Sequence, residues 1–302
     1  MDEQTVKDVI ACLAGERTLF SYFPGRYALM LLARASRGRA SVRALRSGPF
    51  APLLEKPLVK EALATAGCGC VSPADFDLWP GQPAEFLLAL DSWGHRSRRR
   101  YHQTSRSGFN LVLQLNFNTG DMARFARLVD YPRDYNLGVH PCCKDPQRYR
   151  ETLAWARMDV CFDTDAVLIE EIQSDFVRFV DWQWYAHRDH AAVVAFCAPF
   201  RRLWAEAMLS AAVEFVWREL GISTVYYHEF ETGNALKGLQ AMPPPRSLYE
   251  ALPRRFCMAL TTDVPPFLLR RGGARKRLRA LRQPRFYKLT DPGEDHHART
   301  SH

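Results

Sequence analysis

Long apolar runs are missing from this chain. Among its 302 residues there is no stretch of about 18 consecutive apolar residues, the length that a membrane-spanning helix needs. The first residues are acidic and polar, and they lack the basic start and apolar middle of a secretory signal peptide. These two absences predict a protein without a membrane segment and with a cytoplasmic location.

Cysteine spacing typical of a zinc site is missing as well. The chain has eight cysteines, but Cys68 and Cys70 are separated by one residue and Cys142 directly precedes Cys143. Neither pair has the Cys-x-x-Cys spacing that holds a tetrahedral zinc ion. Without an export signal, such thiols are expected to be reduced. The cysteines therefore predict neither a structural zinc site nor a disulfide framework.

Positive charge is in excess and unevenly spread. The formal net charge is +8 and the pI is about 9.2. One basic block runs from Arg96 to Arg106, and another from Arg270 to Arg279. Such clusters favour a phosphate-rich partner, because lysine and arginine release counterions when they neutralise phosphates. They predict nucleic acid, or an anionic phosphorylated cofactor, as the partner; the alternative is a solvated basic face.

The pattern of apolar residues predicts an α+β fold with a mixed, largely antiparallel central sheet flanked by helices. Residues 1–103 read as a mostly helical region, residues 104–291 as the α+β core, and residues 292–302 as a disordered tail. The core pattern predicts strands over residues 109–117, 153–162, 166–176 and 222–228, and a long helix over residues 200–220.

The third of these strands carries the strongest sign of a functional site. It begins as an apolar run at Ala166 and ends in Glu170, Glu171, Gln173 and Asp175. Because alternate side chains of a strand share a face, we expect the last three together on one side. Glu170 should lie on the other side, with Leu168 and Ile172. The alternative is an edge strand whose acidic groups are solvated or salt-bridged.

Residues 169–175, with the sequence Ile-Glu-Glu-Ile-Gln-Ser-Asp, resemble the hallmark of an uncharacterised set of bacterial and phage-encoded proteins. The resemblance extends over residues 104–110, 153–175, 204–227 and 249–253. It implies kinship and no particular chemistry. Where those relatives usually have tryptophan after the aspartate, this chain has Phe176.

The order of the elements also resembles the GCN5-related N-acyltransferase fold. In that resemblance the turn from Glu231 to Asn234 and the tyrosine Tyr249 stand in matching places. It implies acyl transfer from acyl-CoA in a carboxylate-lined cleft, with Glu171 as the base and Tyr249 as the acid that protonates the leaving group. The substrate could be associated with nucleic acid. The glycine-rich phosphate loop of that family is missing, since residues 176–200 contain no glycine.

A divalent-metal-dependent nuclease is the second hypothesis. Asp159, Glu171 and Gln173 resemble the Asp…Glu-x-Lys arrangement that holds Mg²⁺ or Mn²⁺ for phosphodiester cleavage. The hairpin register decides it: Asp159 opposite Glu171 would bring the carboxylates together, and Met158 opposite Glu171 would separate them. The third hypothesis is a non-catalytic module that binds nucleic acid or a protein.

The site residues expected from the sequence fall into two groups. The expected catalytic residues are Glu171, Gln173, Asp175 and Tyr249. The residues expected to bind substrate or cofactor, including an aromatic pair that could cover the cleft or stack a base, are Arg157, Trp182, Trp184, His228, Glu229, Glu231 and Asn234.

Overall fold

The computed structural model describes residues 1–13, 19–64, 66–67, 69–95, 103–129, 152–182, 190–241, 243–270 and 272–293. Several features predicted above lie outside these residues: Cys68, the cysteine pair at 142–143, most of the first basic block, Trp184 and most of the tail. Within them, one eight-stranded sheet organises the chain.

The strands of this sheet follow the order β1-β4-β5-β6-β7-β8-β10-β9. Neighbouring strands are antiparallel except β7 and β8, which are parallel. A separate pair, β2 and β3, forms a short two-stranded sheet. The strands are β1 (Leu19–Tyr22), β2 (Ala40–Ser41), β3 (Cys70–Val71), β4 (Ala84–His95), β5 (Gly108–Phe117), β6 (Thr152–Cys161), β7 (Ala166–Gln173), β8 (Thr224–His228), β9 (Ala259–Thr261) and β10 (Phe286–Thr290).

Helices flank the sheet on both faces, and none in the described part of the chain is long and apolar enough to cross a membrane. They are α1 (Glu3–Leu13), α2 (Arg26–Ala35), α3 (Val42–Ser47), α4 (Pro57–Ala64), α5 (Thr119–Ala126), α6 (Asp175–Trp182), α7 (His190–Arg218), α8 (Phe230–Lys237), α9 (Arg246–Tyr249), α10 (Ala251–Arg255) and α11 (Gly273–Ala280).

The fold class is therefore α+β, as the sequence predicted, with a mixed, largely antiparallel sheet and a mostly helical N-terminal region. The four strands before residue 104 were not predicted, and two of them, β1 and β4, belong to the main sheet. The sheet thus draws on more of the chain than residues 104–291. β1 has only four residues, too few for a clear period-two pattern, and β4 mixes apolar residues on both of its faces.

The hairpin of β6 and β7 forms as predicted. Its turn, residues 162–165, ends at Asp165, which has the left-handed φ of 46°. Aspartate tolerates this conformation because its short polar side chain can bond locally. Here the Asp165 carboxylate accepts hydrogen bonds from the backbone N–H and the hydroxyl of Ser223, which connects the turn to the start of β8.

The hydrophobic core lies on both faces of the sheet. The larger cluster packs under α7 and includes Ile169 and Tyr227; the smaller cluster packs under α11 and includes Leu168 and Tyr226. Leu168 and Ile169 are consecutive in β7 and their side chains point to opposite faces, and the same holds for Tyr226 and Tyr227 in β8, as strand geometry requires. The long helix starts earlier than predicted, at His190, and continues through Pro199 inside it.

An aromatic group joins β5 to α6 and α7. The ring of Phe117 lies 4.9 Å from that of Phe176 and 4.8 Å from that of Phe200, both in edge-to-face geometry. Phe117 is 1% exposed. Edge-to-face pairs add to the stabilisation that burial of the rings already provides, so this group fixes the helix that follows β7.

The variant Phe117→Ala should lower the free energy of unfolding by about 3–5 kcal/mol, because it leaves a cavity between the sheet and two helices. The matched control is Phe162→Ala, which removes a ring that is 46% exposed and should change stability by about 0.5 kcal/mol or less. Chemical denaturation measures both values. Equal losses for the two variants would contradict this packing.

Candidate functional site

An extra residue in β7 shapes the candidate site. Arg157 of β6 is opposite Glu171 and Met158 is opposite Ile169, so Glu170 has no partner on β6 and forms a β-bulge. Bulges bend a strand and redirect its side chains. On the other side, β7 pairs with β8 only from Ala166 to Ile169. The two parallel strands therefore separate where the polar part of β7 begins.

The bulge corrects the expected distribution of side chains. Leu168 packs in the smaller core cluster and Ile172 in the larger one, on the opposite face. A regular strand would have placed them on the same face with Glu170. The extra residue inverts the alternation between them, and sequence periodicity does not reveal it.

The Glu170 carboxylate is fully buried and accepts hydrogen bonds from two other segments. Ser105, just before β5, donates its backbone N–H at 2.9 Å and its hydroxyl at 2.8 Å. The Nε2 atom of His228, at the end of β8, lies 3.0 Å from the second carboxylate oxygen and 2.9 Å from the Ser105 hydroxyl. Serine and histidine are both 0% exposed. A buried charge needs such partners to offset its loss of hydration.

Glu170 and His228 differ in charge at neutral pH. Burial raises the pKa of Glu170, but the hydrogen bond from His228, the charge that His228 gains when it is protonated at low pH, the charge of Lys237 and the Ser105 N–H outweigh it and lower the pKa to about 2. Burial lowers the pKa of His228, and Glu170 only partly opposes this. Glu170 is thus ionised and His228 neutral. Because a carboxylate only accepts, Nε2 carries the histidine proton, and Nδ1 has no hydrogen-bond partner among the described residues.

The Glu171 carboxylate forms a second, adjacent group with Arg157. The two side chains make an ion pair, and Arg157 is only 2% exposed. Its guanidinium lies 5.5 Å from the ring centre of Trp93 and 5.5 Å from that of Trp155. Aromatic faces attract cations, so the two indoles and the carboxylate together hold the guanidinium.

Lys237, which sequence reasoning missed, lies in the gap between β7 and β8. Its Nζ atom donates to the backbone oxygen of Glu170 at 2.8 Å and lies 3.4 Å from the Tyr249 hydroxyl. The Glu171 carboxylate is 3.9 Å away. Burial lowers the pKa of the Lys237 amine, Glu171 opposes this and Arg157 adds to it; the net pKa lies below its ordinary value.

Helix α8 places Lys237 in this position. Glu229 caps its first turn by accepting from the backbone N–H of Thr232 at 3.0 Å, and Gly238 ends it with the left-handed φ of 77°. An acidic cap and a glycine nine residues later were the sequence signals for this short helix. Residues 231–234 were predicted as a turn instead, so Lys237 is not among the expected site residues.

Gly233 allows α8 to lie directly against His228. A Cβ atom at this position would be 2.9 Å from the Cβ and 3.0 Å from the Cγ of His228. Any side chain would therefore push the helix away from the end of β8. Glycine here keeps the buried histidine and the lysine on the same short helix–strand junction.

Two tyrosines complete the lining of the gap. The rings of Tyr227 and Tyr249 are 5.5 Å apart. Burial, and secondarily the Glu171 carboxylate, raise the pKa of both phenols well above the ordinary value, so both stay protonated. The Tyr227 hydroxyl has no hydrogen-bond partner among the described residues. A buried donor of this kind costs free energy unless a ligand meets it.

Gln173 and Asp175 form a separate group beside Trp155. The Gln173 amide donates to the Asp175 carboxylate, and the Trp155 indole donates to the same carboxylate at 2.9 Å. Asp175 is the first residue of α6 and not part of the strand. Gln173 lies opposite Trp155, next to the Arg157–Glu171 pair. These two predicted catalytic residues thus lie beside the gap and bond to each other.

Of the remaining expected site residues, some lie in the buried cluster and others lie outside it. Asn234 is buried within α8. Glu231 is exposed and pairs with Arg246, so it does not join the buried cluster. Trp182 is the last residue of α6. Glu229 and His228 lie at the end of β8, as expected, although the glutamate serves as a helix cap.

The geometry expected for a metal-dependent nuclease does not form. Asp159 is opposite Leu168, so neither of the two considered registers occurs. Its carboxylate accepts from the Arg106 guanidinium at 2.5 and 2.8 Å and lies 3.3 Å from the amino group of Met1. In the described part of the chain, no three His, Cys, Asp or Glu side chains are grouped to hold a metal ion.

Coenzyme A does not fit the helix that follows β7. Its pyrophosphate would need free backbone N–H groups at a helix N-terminus. Helix α6 begins with the Asp175 carboxylate, and the N–H of Val177 already donates to the Ser174 hydroxyl at 3.1 Å. A negative side chain at this helix start repels a pyrophosphate, in line with the missing glycine loop.

Comparisons with protein-family models, with curated proteins and with solved structures found no match. The site is therefore interpreted from its own geometry.

The stability of the fold should depend on pH through Glu170. Its folded pKa, about 2, lies below the ordinary value, so its stabilisation is complete above about pH 4.5 and is lost as the pH falls towards 2. The variant Glu170→Gln should be about 3 kcal/mol less stable at neutral pH and should lack this part of the pH dependence. Denaturation curves between pH 2 and 7 measure both effects.

The control is Glu219→Gln, which changes an exposed carboxylate and should keep the pH dependence of the parent. A Glu170→Gln variant as stable as the parent at pH 7, with an unchanged pH profile, would show that the buried carboxylate does not act as described.

Proposed function

We propose that this chain is an acyltransferase-like enzyme whose reaction takes place in the gap between β7 and β8. The observation that carries the proposal is the separation of these parallel strands beyond Ile169 and Tyr227. Where the pairing ends, the main-chain oxygen of Glu170 accepts from Lys237 instead of from β8. A lysine, a carboxylate and two phenols lie at the same place, and these are groups that move protons.

The sheet supports the resemblance to the GCN5-related N-acyltransferase layout. Strand β7 precedes the long helix α7, and β8 follows that helix and pairs with β7 in parallel. In the sheet, β10 lies between β8 and β9. The tyrosine expected to act as the acid, Tyr249, lies in the gap, 3.4 Å from Lys237. Element order, strand separation and the tyrosine thus agree.

The amine of Lys237 is the proposed general base. The acceptor amine attacks the acyl carbonyl carbon, a carbon–nitrogen bond forms, and the attacking nitrogen gives a proton to Lys237 Nζ in its deprotonated form, which the lowered pKa makes more accessible. The bond to the leaving sulfur or oxygen breaks, and the Tyr249 hydroxyl protonates the leaving group. Lys237 then returns its proton to the tyrosinate, which restores both residues. A buried lysine of lowered pKa suits this task.

The Tyr227 hydroxyl is the proposed donor to the acyl carbonyl oxygen. It stays protonated because burial raises its pKa, and it has no hydrogen-bond partner among the described residues. A fixed donor is worth most where negative charge develops during the reaction. This role gives the buried phenol the partner that the protein itself does not supply.

Glu171 has a positioning role in this proposal. Its carboxylate pairs with Arg157 and lies 3.9 Å from Lys237 Nζ, so its contacts are with cations of the protein. It balances the charge of the two cations and holds the lysine beside Tyr249. Gln173 and Asp175 support this arrangement through Trp155.

The acyl group reaches the gap on a carrier other than a coenzyme A held at α6, and we propose a nucleic-acid-associated substrate. Helix α11, within the second basic block, presents Arg275, Lys276 and Arg279 around one surface concavity. From the same helix, Arg277 donates to the backbone oxygen of Ser105 at 2.5 Å. The basic helix is thereby anchored to the segment that binds Glu170, which supports delivery of a phosphate-rich substrate next to the site.

The test is an acyl-transfer assay with p-nitrophenyl acetate, acetyl-CoA and aminoacyl-tRNA as donors and a lysine-containing peptide or spermidine as acceptor. Lys237→Met and Tyr249→Phe should each lower the rate about 10²–10⁴-fold, as expected for loss of a general base or acid. Aminoacyl-tRNA should be the better donor and acetyl-CoA the poorer.

The matched controls are Lys60→Met, which removes an exposed lysine paired with Glu55, and Tyr226→Phe, which changes the neighbouring tyrosine on the opposite face of β8. Both should keep the parent rate. Absence of transfer from all three donors, or full activity in folded Lys237→Met and Tyr249→Phe variants, would overturn the proposal.

A further inference from the structure

A second concave surface, here called the α2–α7 groove, shares no residue with the site described above. It lies between α2, the 3₁₀ turn Pro73–Phe76 and the C-terminal end of α7, and its volume is about 490 Å³. This is within the usual size of ligand pockets, roughly 300–1,000 Å³. The groove can thus hold one small molecule.

Arginines and aromatic rings line the α2–α7 groove. Its floor includes the apolar side chains Leu29, Met30 and Phe76. Four arginines and two carboxylates also line it: Arg26, Arg34, Arg37, Arg218, Asp77 and Glu214. Because Arg34 also pairs with the buried Asp291, four cations face three carboxylates, which leaves an excess of one positive charge. A ligand that fits this lining has an apolar body and at least one anionic group.

The guanidinium groups near the groove are held in place. Glu214 pairs with Arg26 at 3.2 Å and with Arg218 at 2.6 Å, so one carboxylate is shared by two cations. Arg37 donates to the backbone oxygen of Gly293 at 3.0 Å and makes no ion pair with the described residues. A guanidinium has five N–H donors, and these contacts use only some of them. Arg37 and Arg218 therefore retain donors for a phosphate.

Trp79 supplies a half-exposed aromatic surface at the same groove. Its ring is 48% exposed, and its indole N–H donates to the Asp77 carboxylate at 2.8 Å, which fixes the ring. The guanidinium of Arg26 lies 5.5 Å from the ring centre. An exposed indole next to fixed guanidinium groups matches the two parts of a nucleotide, since bases stack on aromatic rings and arginine binds phosphate.

We propose that the α2–α7 groove is a nucleotide-binding site, in which the base stacks on Trp79 and the phosphates bind Arg37 and Arg218. The site is independent of the acyl-transfer proposal, because it uses other residues and needs no reaction. The proposal gives this protein a small-molecule ligand of defined chemistry. The basic surface on α11 differs from the groove, because no aromatic ring is among the residues that line it.

Titration calorimetry and tryptophan fluorescence with ATP, AMP, adenosine and inorganic pyrophosphate test the proposal on the full chain. ATP and AMP should bind, and adenosine and pyrophosphate should bind at least about tenfold more weakly, because each offers only half of the contacts. Trp79→Ala, Arg37→Gln and Arg218→Gln should each weaken ATP binding about tenfold.

The matched control is Arg275→Gln on α11, which should leave ATP binding unchanged. Pyrophosphate that binds as tightly as ATP would mean a simple anion site and would overturn the proposal. So would ATP binding that survives Trp79→Ala and Arg37→Gln, or the absence of binding at millimolar ATP. Arg37 is exposed, so its variant tests the groove even where Trp79→Ala fails to fold.

Discussion

The buried charge of Glu170 is the constraint on which the candidate site depends. An ionised carboxylate without water must have hydrogen-bond donors on its oxygens. They come from Ser105 and His228, which are far apart in sequence but meet at the bulge of β7. One carboxylate thereby joins the segment before β5 to the end of β8. The geometry of the gap follows from this junction.

The bulge explains why two consecutive glutamates have different tasks. Glu170, the extra residue, turns towards His228, whereas Glu171 keeps its partner Arg157 on β6. The backbone oxygen of Glu170 then accepts from Lys237. Structural and chemical roles are thus separated by one residue: Glu170 holds the segments together, and Glu171 balances the cations beside the proposed reacting groups.

The sequence predicted the fold class and the β6–β7 hairpin, because long alternating patterns are visible in the residues themselves. Its polar strand end suggested the candidate site. It did not predict the partners of the site. The bulge in β7 depends on how this strand pairs with β6 and β8, and the residue pattern of β7 alone does not specify that pairing. Lys237 lies in a short helix whose burial comes from Gly233 packing on His228. Asp159 is neutralised by Arg106, a contact set by tertiary structure.

The most direct test of this account is a measurement of the pKa of Glu170 itself. Carboxyl carbon shifts of ¹³C-labelled glutamate, followed from pH 7 to pH 2 and assigned with Glu170→Gln, report the titration of this one side chain. We predict that this carboxyl remains ionised well below pH 4.5, with a pKa of about 2. A pKa at or above 4.5 would contradict it, because the donors of Ser105 and His228 would then not stabilise the charge.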